Sequence, residues 1–525
     1  MYSTVSYKNP FWAENSGFMT GRDPLGVQNS SITTYGRLLP GMTNLTLRLR
    51  YYGLYLWLLS VYHKNNKELT ESNLKDHYNF IRRAELIVAF IMRKSFPEEL
   101  SVIGSDFTEK RESNVVDFGF YDIKLGADKN KDTVKGSVYW DYSSGALGQY
   151  YAGSLSALDL IKIEGKYFII QPEGQKLAEA FASSINELQC LKFLEVIESG
   201  RLTLNDINGL GGFSINNIVV GSQEWKYYQS MLLNFDGIEI KDDKGIATSL
   251  RKETIMLYLN YMNDKEEAFN DRSFITQQYN LNLIKRQNEA SFGWYYYYVN
   301  EAFHIALETI FWSMLVQLDG KEQIVEEFIK EISDVIVSGS INQFVSSPEQ
   351  AISEILFNIK DNNLVEVLEK LEIDVKSPFN NKTTLVEAFK LMFVIYNLNG
   401  NKKDEIEEFE KKYKVWGKKG RVSENLHNYI HQSLGMTYKR FVEESIKKIL
   451  NDHINTAYRK MGNGESNLLK FIIEDGIISH IQTMTPRHTS PRLRTISNFM
   501  RDLSFVDNEN NLTNHGATFL ESISI

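Results

Sequence analysis

Arginine and asparagine residues near the C-terminal end of the chain could contact nucleic acid. Arg494, Asn498 and Arg501 follow one another at spacings of four and three residues, which places them on one face of a helix. These side-chain types read guanine and adenine edges in the major groove of DNA. The preceding Arg487 and Arg492 are expected to reach phosphates. A solvated helix face and an anchor for an acidic protein are the alternative interpretations.

The element that must position these residues is a helix over 491–503, with Ser490 as its cap and Pro491 at its first position. Two short helices are predicted before it, over Ser466–Glu474 and Gly476–Thr483. A ribbon turning at Asn508–Asn511 and a final helix follow. Three helices and a ribbon are typical of a winged-helix module.

An inward stripe is predicted on the same helix, formed by Leu493, Ile496, Met500 and Leu503. A similar pattern occurs in the first half of the chain, with a helix over Ala146–Ile161 and a ribbon turning at Glu164-Gly165. A further helix begins at Pro172. Leu160 aligns with Phe505, and Gly174 aligns with Gly516, so the sequence predicts two winged-helix units.

The predicted fold class is mainly α with small β-ribbons (α+β), in a multi-domain helical protein with two winged-helix modules. A chain of 525 residues is too long for one hydrophobic core. The predicted segments are an N-terminal extended segment and helix (1–64), a winged-helix-like domain (65–185), two helical domains (186–330 and 331–460) and a C-terminal winged helix (461–525).

Composition excludes several classes of protein. The net charge of −9 argues against a protein that coats nucleic acid over its whole surface, but it permits a local basic patch. One cysteine, Cys190, allows neither an internal disulfide nor a cysteine-rich zinc site. Met1–Pro10 lacks the apolar core of a secretory leader, and Tyr51–Tyr62 is too short to cross a membrane. A cytoplasmic location without membrane contact is expected.

A second candidate site lies at Arg421 and His427. An arginine followed six residues later by a histidine resembles the active-site pattern of HEPN ribonucleases, in which histidine acts in acid–base chemistry. Val422 departs from that pattern, because a polar residue usually follows the arginine. Glu424, His427 and His431 also share a helical face, which is half of a metal site at most.

Other catalytic and cofactor signals are weak or absent. Asp236 and Glu239-Ile240-Lys241 stand too close together for the metal-binding strands of a nuclease. The aromatic block Trp294–Tyr298 has the spacing of a core helix, with base stacking as the alternative. No phosphate-binding loop, dinucleotide fingerprint or nucleophile elbow is present in the sequence. No metal and no cofactor are expected.

The N-terminal region resembles a signature of uncharacterised bacterial proteins from anti-phage and plasmid-conflict systems. The residues that carry the resemblance are Gly21-Arg22-Asp23-Pro24-Leu25-Gly26, Gln28, Leu39-Pro40-Gly41, Thr43-Asn44, Thr46, Arg48 and Arg50-Tyr51-Tyr52. In those systems a winged-helix protein accompanies an SMC-like ATPase and a nuclease. The resemblance implies partners of these two classes and supplies no catalytic residues.

The function expected from the sequence is a non-enzymatic adaptor or sensor in a bacterial defence complex. It would bind DNA or an ATPase partner through its winged helices. Two alternatives remain open at this point. One is a HEPN-like ribonuclease that uses Arg421 and His427, and the other is a stand-alone transcriptional regulator.

Overall fold

The structure is a computed structural model, and it describes residues 23–65, 70–99, 101–111, 118–233, 249–264, 269–360, 362–376, 381–415, 418–462 and 468–523. Asp236 and Glu239–Lys241 lie outside the described residues, as do Gly21 and Arg22. The hypotheses that rest on these residues therefore stay predictions.

Helices make up most of the described chain. In chain order they are α1 (Asn29–Leu38), α2 (Arg50–Asn65), α3 (Leu74–Ser95), α4 (Ser105–Glu109), α5 (Ile123–Ala127), α6 (Ala152–Ala157), α7 (Pro172–Ser183), α8 (Glu187–Ser199), α9 (Leu204–Gly209), α10 (Gln223–Leu233), α11 (Ser249–Asp264), α12 (Asp271–Ile284), α13 (Glu289–Leu318), α14 (Val325–Ser340), α15 (Ile352–Asn358), α16 (Leu364–Asp374), α17 (Asn381–Asn399), α18 (Lys403–Lys412), α19 (Tyr438–Gly462), α20 (Leu493–Asp502) and α21 (Asn514–Ile523). Within the described ranges, no helix is long and apolar enough to cross a membrane.

Short antiparallel strands complete the architecture. They are β1 (Phe120–Asp122), β2 (Ile161–Glu164), β3 (Tyr167–Ile170), β4 (Arg201–Thr203), β5 (Glu322–Ile324), β6 (Phe471–Glu474) and β7 (Ile477–His480). β1 pairs with β4, β2 pairs with β3, and β7 lies between β5 and β6. The predicted fold class, mainly α with small β-ribbons, is confirmed.

The chain forms two compact units that are discontinuous in sequence. Unit 1 contains the described residues up to Tyr35 together with Ile275–Pro491, and unit 2 contains Gly36–Phe274 together with Arg492–Ile525. The chain passes between the units inside α1 and α12, and again at Pro491. Each unit has its own buried core.

Unit 1 is built around α13, whose side chains are buried on every face along most of its length. The aromatic block of this helix lies in the core, with Trp294 at 0% and Tyr298 at 5% exposure, which confirms the core interpretation. The first part of the N-terminal signature, residues 23–28, is anchored in the same unit. The Asp23 carboxylate accepts four backbone N–H groups ahead of α1, and His453 donates from Nδ1 to the Pro24 carbonyl at 2.9 Å.

Unit 2 buries the two arginines that end the N-terminal signature. The Arg50 guanidinium is fully buried and forms an ion pair with Glu224 at 3.0 Å. Arg48 forms an ion pair with Asp502 at 2.8 Å, and its Nη1 lies 2.9 Å from Glu99. These arginines are bound internally, and they connect α2 with α10 and α20. Their role in unit 2 is structural.

Unit 2 also contains an internal repeat, which we name repeat A (152–183) and repeat B (493–523). In each repeat the first helix, α6 or α20, is followed by a residue with a left-handed backbone, Asp159 (φ 54°) or Ser504 (φ 61°). The next residue donates its N–H to the carbonyl five positions earlier, at 2.9 Å in repeat A and 2.8 Å in repeat B. A turn or ribbon then leads into α7 or α21. The equivalence of these two segments, which the sequence predicted, therefore extends to backbone hydrogen bonds.

The two helices that the sequence predicts for residues 466–483 are wrong. The described part of this stretch folds as the β6–β7 hairpin of unit 1. The physical reason is the turn: Asp475 (φ 48°) and Gly476 (φ 79°) both adopt the left-handed conformation that a tight hairpin requires. The β-branched residues on either side favour strands. Repeat B therefore lacks the two preceding helices, and the winged-helix interpretation stays a prediction.

Alanine at either repeat glycine is expected to destabilise unit 2. A Cβ at Gly174 would overlap the Leu160 carbonyl oxygen, and a Cβ at Gly516 would overlap the Phe505 carbonyl oxygen. Because backbone must shift, Gly174→Ala and Gly516→Ala should each lower the free energy of unfolding by about 1–3 kcal/mol. Urea unfolding measures this loss.

The matched control is Gly153→Ala, because a Cβ on this helical glycine meets open space. It is expected to retain or raise stability, by up to about 1 kcal/mol. Wild-type stability in both repeat variants would contradict the close approach of helix and carbonyl.

Candidate nucleic-acid interface

Helix α20 carries the predicted contact residues, and its inner side fixes its orientation. Leu493, Ile496, Met500 and Leu503 are fully buried, so the predicted inward stripe is confirmed. The indole of Trp225 donates to the Leu503 carbonyl at 3.0 Å and holds the end of the helix in unit 2. The opposite side of α20 therefore faces outward.

A groove of about 470 Å³ runs along that outward side. The arginine groove, as we name it, is lined by Phe269, Asp271, Arg494, Ser497, Asn498, Arg501 and Asn510. It brings together all three residues that the sequence placed on one helical face. All of its residues belong to unit 2.

Neutral oxygen atoms orient the guanidinium of Arg501. It donates to the side-chain oxygens of Asn498 at 3.2 Å and Asn510 at 3.0 Å. Its Nε also lies 3.4 Å from the Asp507 carbonyl. Among the described residues no carboxylate forms an ion pair with Arg501, so its positive charge is positioned without being neutralised by a direct contact.

Three acidic residues near Arg501 are engaged elsewhere. Asp502 accepts from the Arg48 side chain and from the Leu49 N–H at 2.8 Å. The Asp507 carboxylate accepts two backbone N–H groups within its own turn. Glu99 is paired with Arg48, and the charge of Arg501 contributes in a minor way to the lowered pKa of Glu99.

The remaining charged residues of the groove are Arg494 and Asp271. Arg494 is exposed and, in the described part of the chain, forms neither a hydrogen bond nor an ion pair. Asp271, at the first position of α12, is partly buried, and this burial raises the pKa of its carboxyl group to about 6. The groove thus holds two cations and one desolvated acid.

Arg492 lies at the N-cap position of α20. It has a left-handed backbone (φ 65°), and its side chain donates to the Leu39 carbonyl at 3.2 Å. The sequence predicted a helix over 491–503, but the helix begins at Leu493, so Arg492 precedes its first turn. Arg492 is therefore not a lining residue of the groove.

Arg487 and His488 belong to unit 1, where an extended segment crosses α13. The Arg487 N–H donates to Glu308 at 3.2 Å, while the Arg487 side chain stays exposed. His488 lies between Glu301 at 3.3 Å and Glu372 at 2.6 Å. Burial opposes its charge, but these two carboxylates outweigh burial and raise the pKa of His488 to about 9. Internal acids thus neutralise His488.

The Arg421 and His427 pair lies in unit 1. Arg421 is half-buried, with Nη1 3.9 Å from a Glu410 carboxylate oxygen. His427 is 6% exposed, and burial is the main cause of its lowered pKa. A catalytic imidazole must reach its substrate, and this one has little access to solvent. In the described ranges, no group of three histidine, cysteine or acidic residues could hold a metal ion.

Sequence reasoning missed four lining residues of the arginine groove, Phe269, Asp271, Ser497 and Asn510. Phe269 and Asp271 come from the start of α12, more than two hundred positions before α20, and no local pattern indicates that proximity. Asn510 was recognised only as a turn residue.

No family model, no curated protein and no solved structure matches the chain.

Proposed function

We propose that the chain is a non-enzymatic adaptor or sensor subunit that contacts DNA through the arginine groove. One observation carries the proposal: Arg494 and Arg501 line a single outward groove without an ion-pair partner among the described residues. Unneutralised arginines held on one surface bind phosphates strongly, because they form charge-assisted hydrogen bonds.

Repeat A supports this assignment as an internal comparison. The equivalent backbone hydrogen bonds align Gly153 with Asn498 and Ser156 with Arg501. The same local fold is therefore present twice, and only repeat B carries a cation, Arg501, at these positions. This cation is not required by the fold of the repeat, which favours a role in binding.

The rest of the chain suits an adaptor. Its net charge of −9 keeps non-specific adhesion to DNA low outside the groove. The N-terminal resemblance implies an ATPase and a nuclease as protein partners in a bacterial defence complex, and we include both in the proposal. The burial of His427 gives no support to the ribonuclease alternative.

Reversing two charges of the groove is expected to weaken DNA binding strongly. Arg494→Glu combined with Arg501→Glu should raise the Kd for duplex DNA by about 10- to 100-fold, because phosphate contacts are replaced by repulsion. The dependence of log K on log salt should also become shallower by about 1–2 units. Fluorescence anisotropy with a labelled duplex, measured across a salt series, tests both effects.

The matched control is Ser156→Glu, which adds negative charge at the equivalent position of repeat A. It is expected to leave the Kd within about twofold of wild type, because long-range charge effects are screened. If the double variant binds DNA as tightly as wild type, the groove is not the DNA contact. A footprint at one operator, with no protein partner in a pull-down, would instead favour a stand-alone regulator.

A further inference from the structure

The arginine groove contains an acid that does not match its other lining groups. Asp271 shares the groove with Arg494 and Arg501, and it forms no ion pair with either. A carboxylate that only stabilised the arginines would form direct pairs with them. Asp271 instead remains a separate negative charge beside two cations.

The other polar groups of the groove are arranged to donate hydrogen bonds. The side-chain oxygen of Asn498 accepts from Arg501, and that of Asn510 accepts from Arg501 and Ser497. Because these oxygens are engaged, the amide nitrogens remain to face a ligand. Asn498 is therefore poorly placed for the paired donor and acceptor contact with adenine. An anion, such as a phosphate of the DNA backbone, fits this lining better than a base edge.

We infer that Asp271 is an electrostatic gate of the arginine groove: its carboxylate repels a DNA phosphate that would bind at Arg494 and Arg501, and its neutralisation opens the groove to phosphate. This inference rests on the proposed function, since it concerns the same groove. Two negative groups cannot share one pair of cations without mutual repulsion. Loss of the Asp271 charge therefore strengthens phosphate binding.

Burial of the Asp271 carboxyl group sets the pH range of the gate. Arg494 and Arg501 on α20 line the groove with Asp271. The charges of Asp271 and Arg501 both act on buried Tyr258 of α11, and Glu99 and Asp507 lie near Arg501. Since burial raises the pKa of Asp271 to about 6, its carboxyl group becomes neutral as the pH falls through that value. Phosphate affinity is therefore expected to increase over the same range.

The test is Asp271→Asn in the full-length protein, with duplex DNA and inorganic pyrophosphate as separate probes. At about pH 7.5 the variant should bind each probe about 3- to 10-fold more tightly than wild type. The pH series uses duplex DNA, because its phosphodiesters keep their charge throughout: between about pH 7.5 and about pH 5, wild-type affinity for the duplex should increase and that of the variant should change much less. Asp132→Asn, which removes the same charge from an exposed loop, is the control and should match wild type.

The two probes separate failure of the gate from failure of the proposed function. Unchanged or weaker binding of DNA and pyrophosphate by Asp271→Asn would overturn the gate, even if the arginines bind DNA. Pyrophosphate binding that responds to Asp271, without any DNA binding, would retain the gate and overturn the proposed DNA contact. The wild-type pH series needs no variant, so a flat series also overturns the gate if Asp271→Asn does not fold. Failure to bind either probe overturns both.

Discussion

Glu224→Ala is expected to lower the free energy of unfolding by about 3–5 kcal/mol, because it leaves a buried arginine without its counter-charge. Arg50 and Glu224 are both fully buried, and two Arg50 nitrogens lie 3.0 and 3.2 Å from the carboxylate oxygens. Arg50 also donates to the Gly212 carbonyl at 2.7 Å. These contacts satisfy the guanidinium only while the carboxylate is present. Urea unfolding followed by fluorescence measures the loss.

A surface ion pair provides the matched control for this prediction. Glu173 and Lys176 lie on α7 with their charged atoms 2.6 Å apart, and both side chains are partly exposed to water. Glu173→Ala should therefore leave the unfolding midpoint near that of wild type. Glu224→Gln keeps the shape of the side chain and removes its charge, so its unfolding midpoint should lie between those of Glu224→Ala and Glu173→Ala. If Glu224→Ala were as stable as Glu173→Ala, the buried pair would not stabilise unit 2.

The sequence predicted those parts of the fold that depend on local patterns. The inward stripe of α20 and the helix beginning at Pro172 follow from apolar spacing and capping residues. The ribbon of repeat A was predicted from its Glu164-Gly165 turn. The equally clear Asp475-Gly476 turn was missed, because the isoleucines around it were interpreted as helical. The spacing of a short apolar run does not distinguish a helix from a strand. Residues 477–480 form strand β7 because they pair with β5 and β6, and those pairings are not visible in a local pattern.

The candidate site was predictable only where one helix supplies it. The spacing of Arg494, Asn498 and Arg501 placed them on one face, and the structure brings them into one groove. Asp271 could not be predicted, since its proximity to α20 arises from the packing of unit 2. The contact of His488 with Glu301, 187 positions away, could not be predicted either, because no local pattern indicates it.

His77→Phe is expected to remove much of the acid sensitivity of unit 2. His77 is fully buried, and its ring centroid lies 4.6 Å from that of Tyr62. The two ring nitrogens of His77 have no hydrogen-bond partner among the described residues. Burial, with a smaller contribution from His63, lowers the pKa of His77 to about 4. Since an unfolded histidine titrates near about 6.5, the stability linked to this group is complete above that value and is lost as the pH falls toward about 4.

The expected size follows from the difference between the two pKa values. At roughly 1.4 kcal/mol per unit, protonation of His77 costs wild type about 3 kcal/mol near pH 4. Phenylalanine keeps the ring and cannot be protonated, so the variant should avoid this loss. It should also equal or exceed wild type near neutral pH, by about 1 kcal/mol, because two unsatisfied nitrogens are removed.

Only the difference between variant and wild type identifies His77, because other buried groups titrate in the same range. His453, whose pKa burial also lowers to about 4, destabilises both proteins on acidification and cancels from the comparison. Urea unfolding at about pH 7.5 and about pH 4.5 gives the difference in unfolding free energy between His77→Phe and wild type. This difference should be larger by about 2–3 kcal/mol at the lower pH. Exposed His431 provides the control, and His431→Gln should give no such increase. A constant difference for His77→Phe would mean that His77 is hydrated enough to accept a proton in the folded protein.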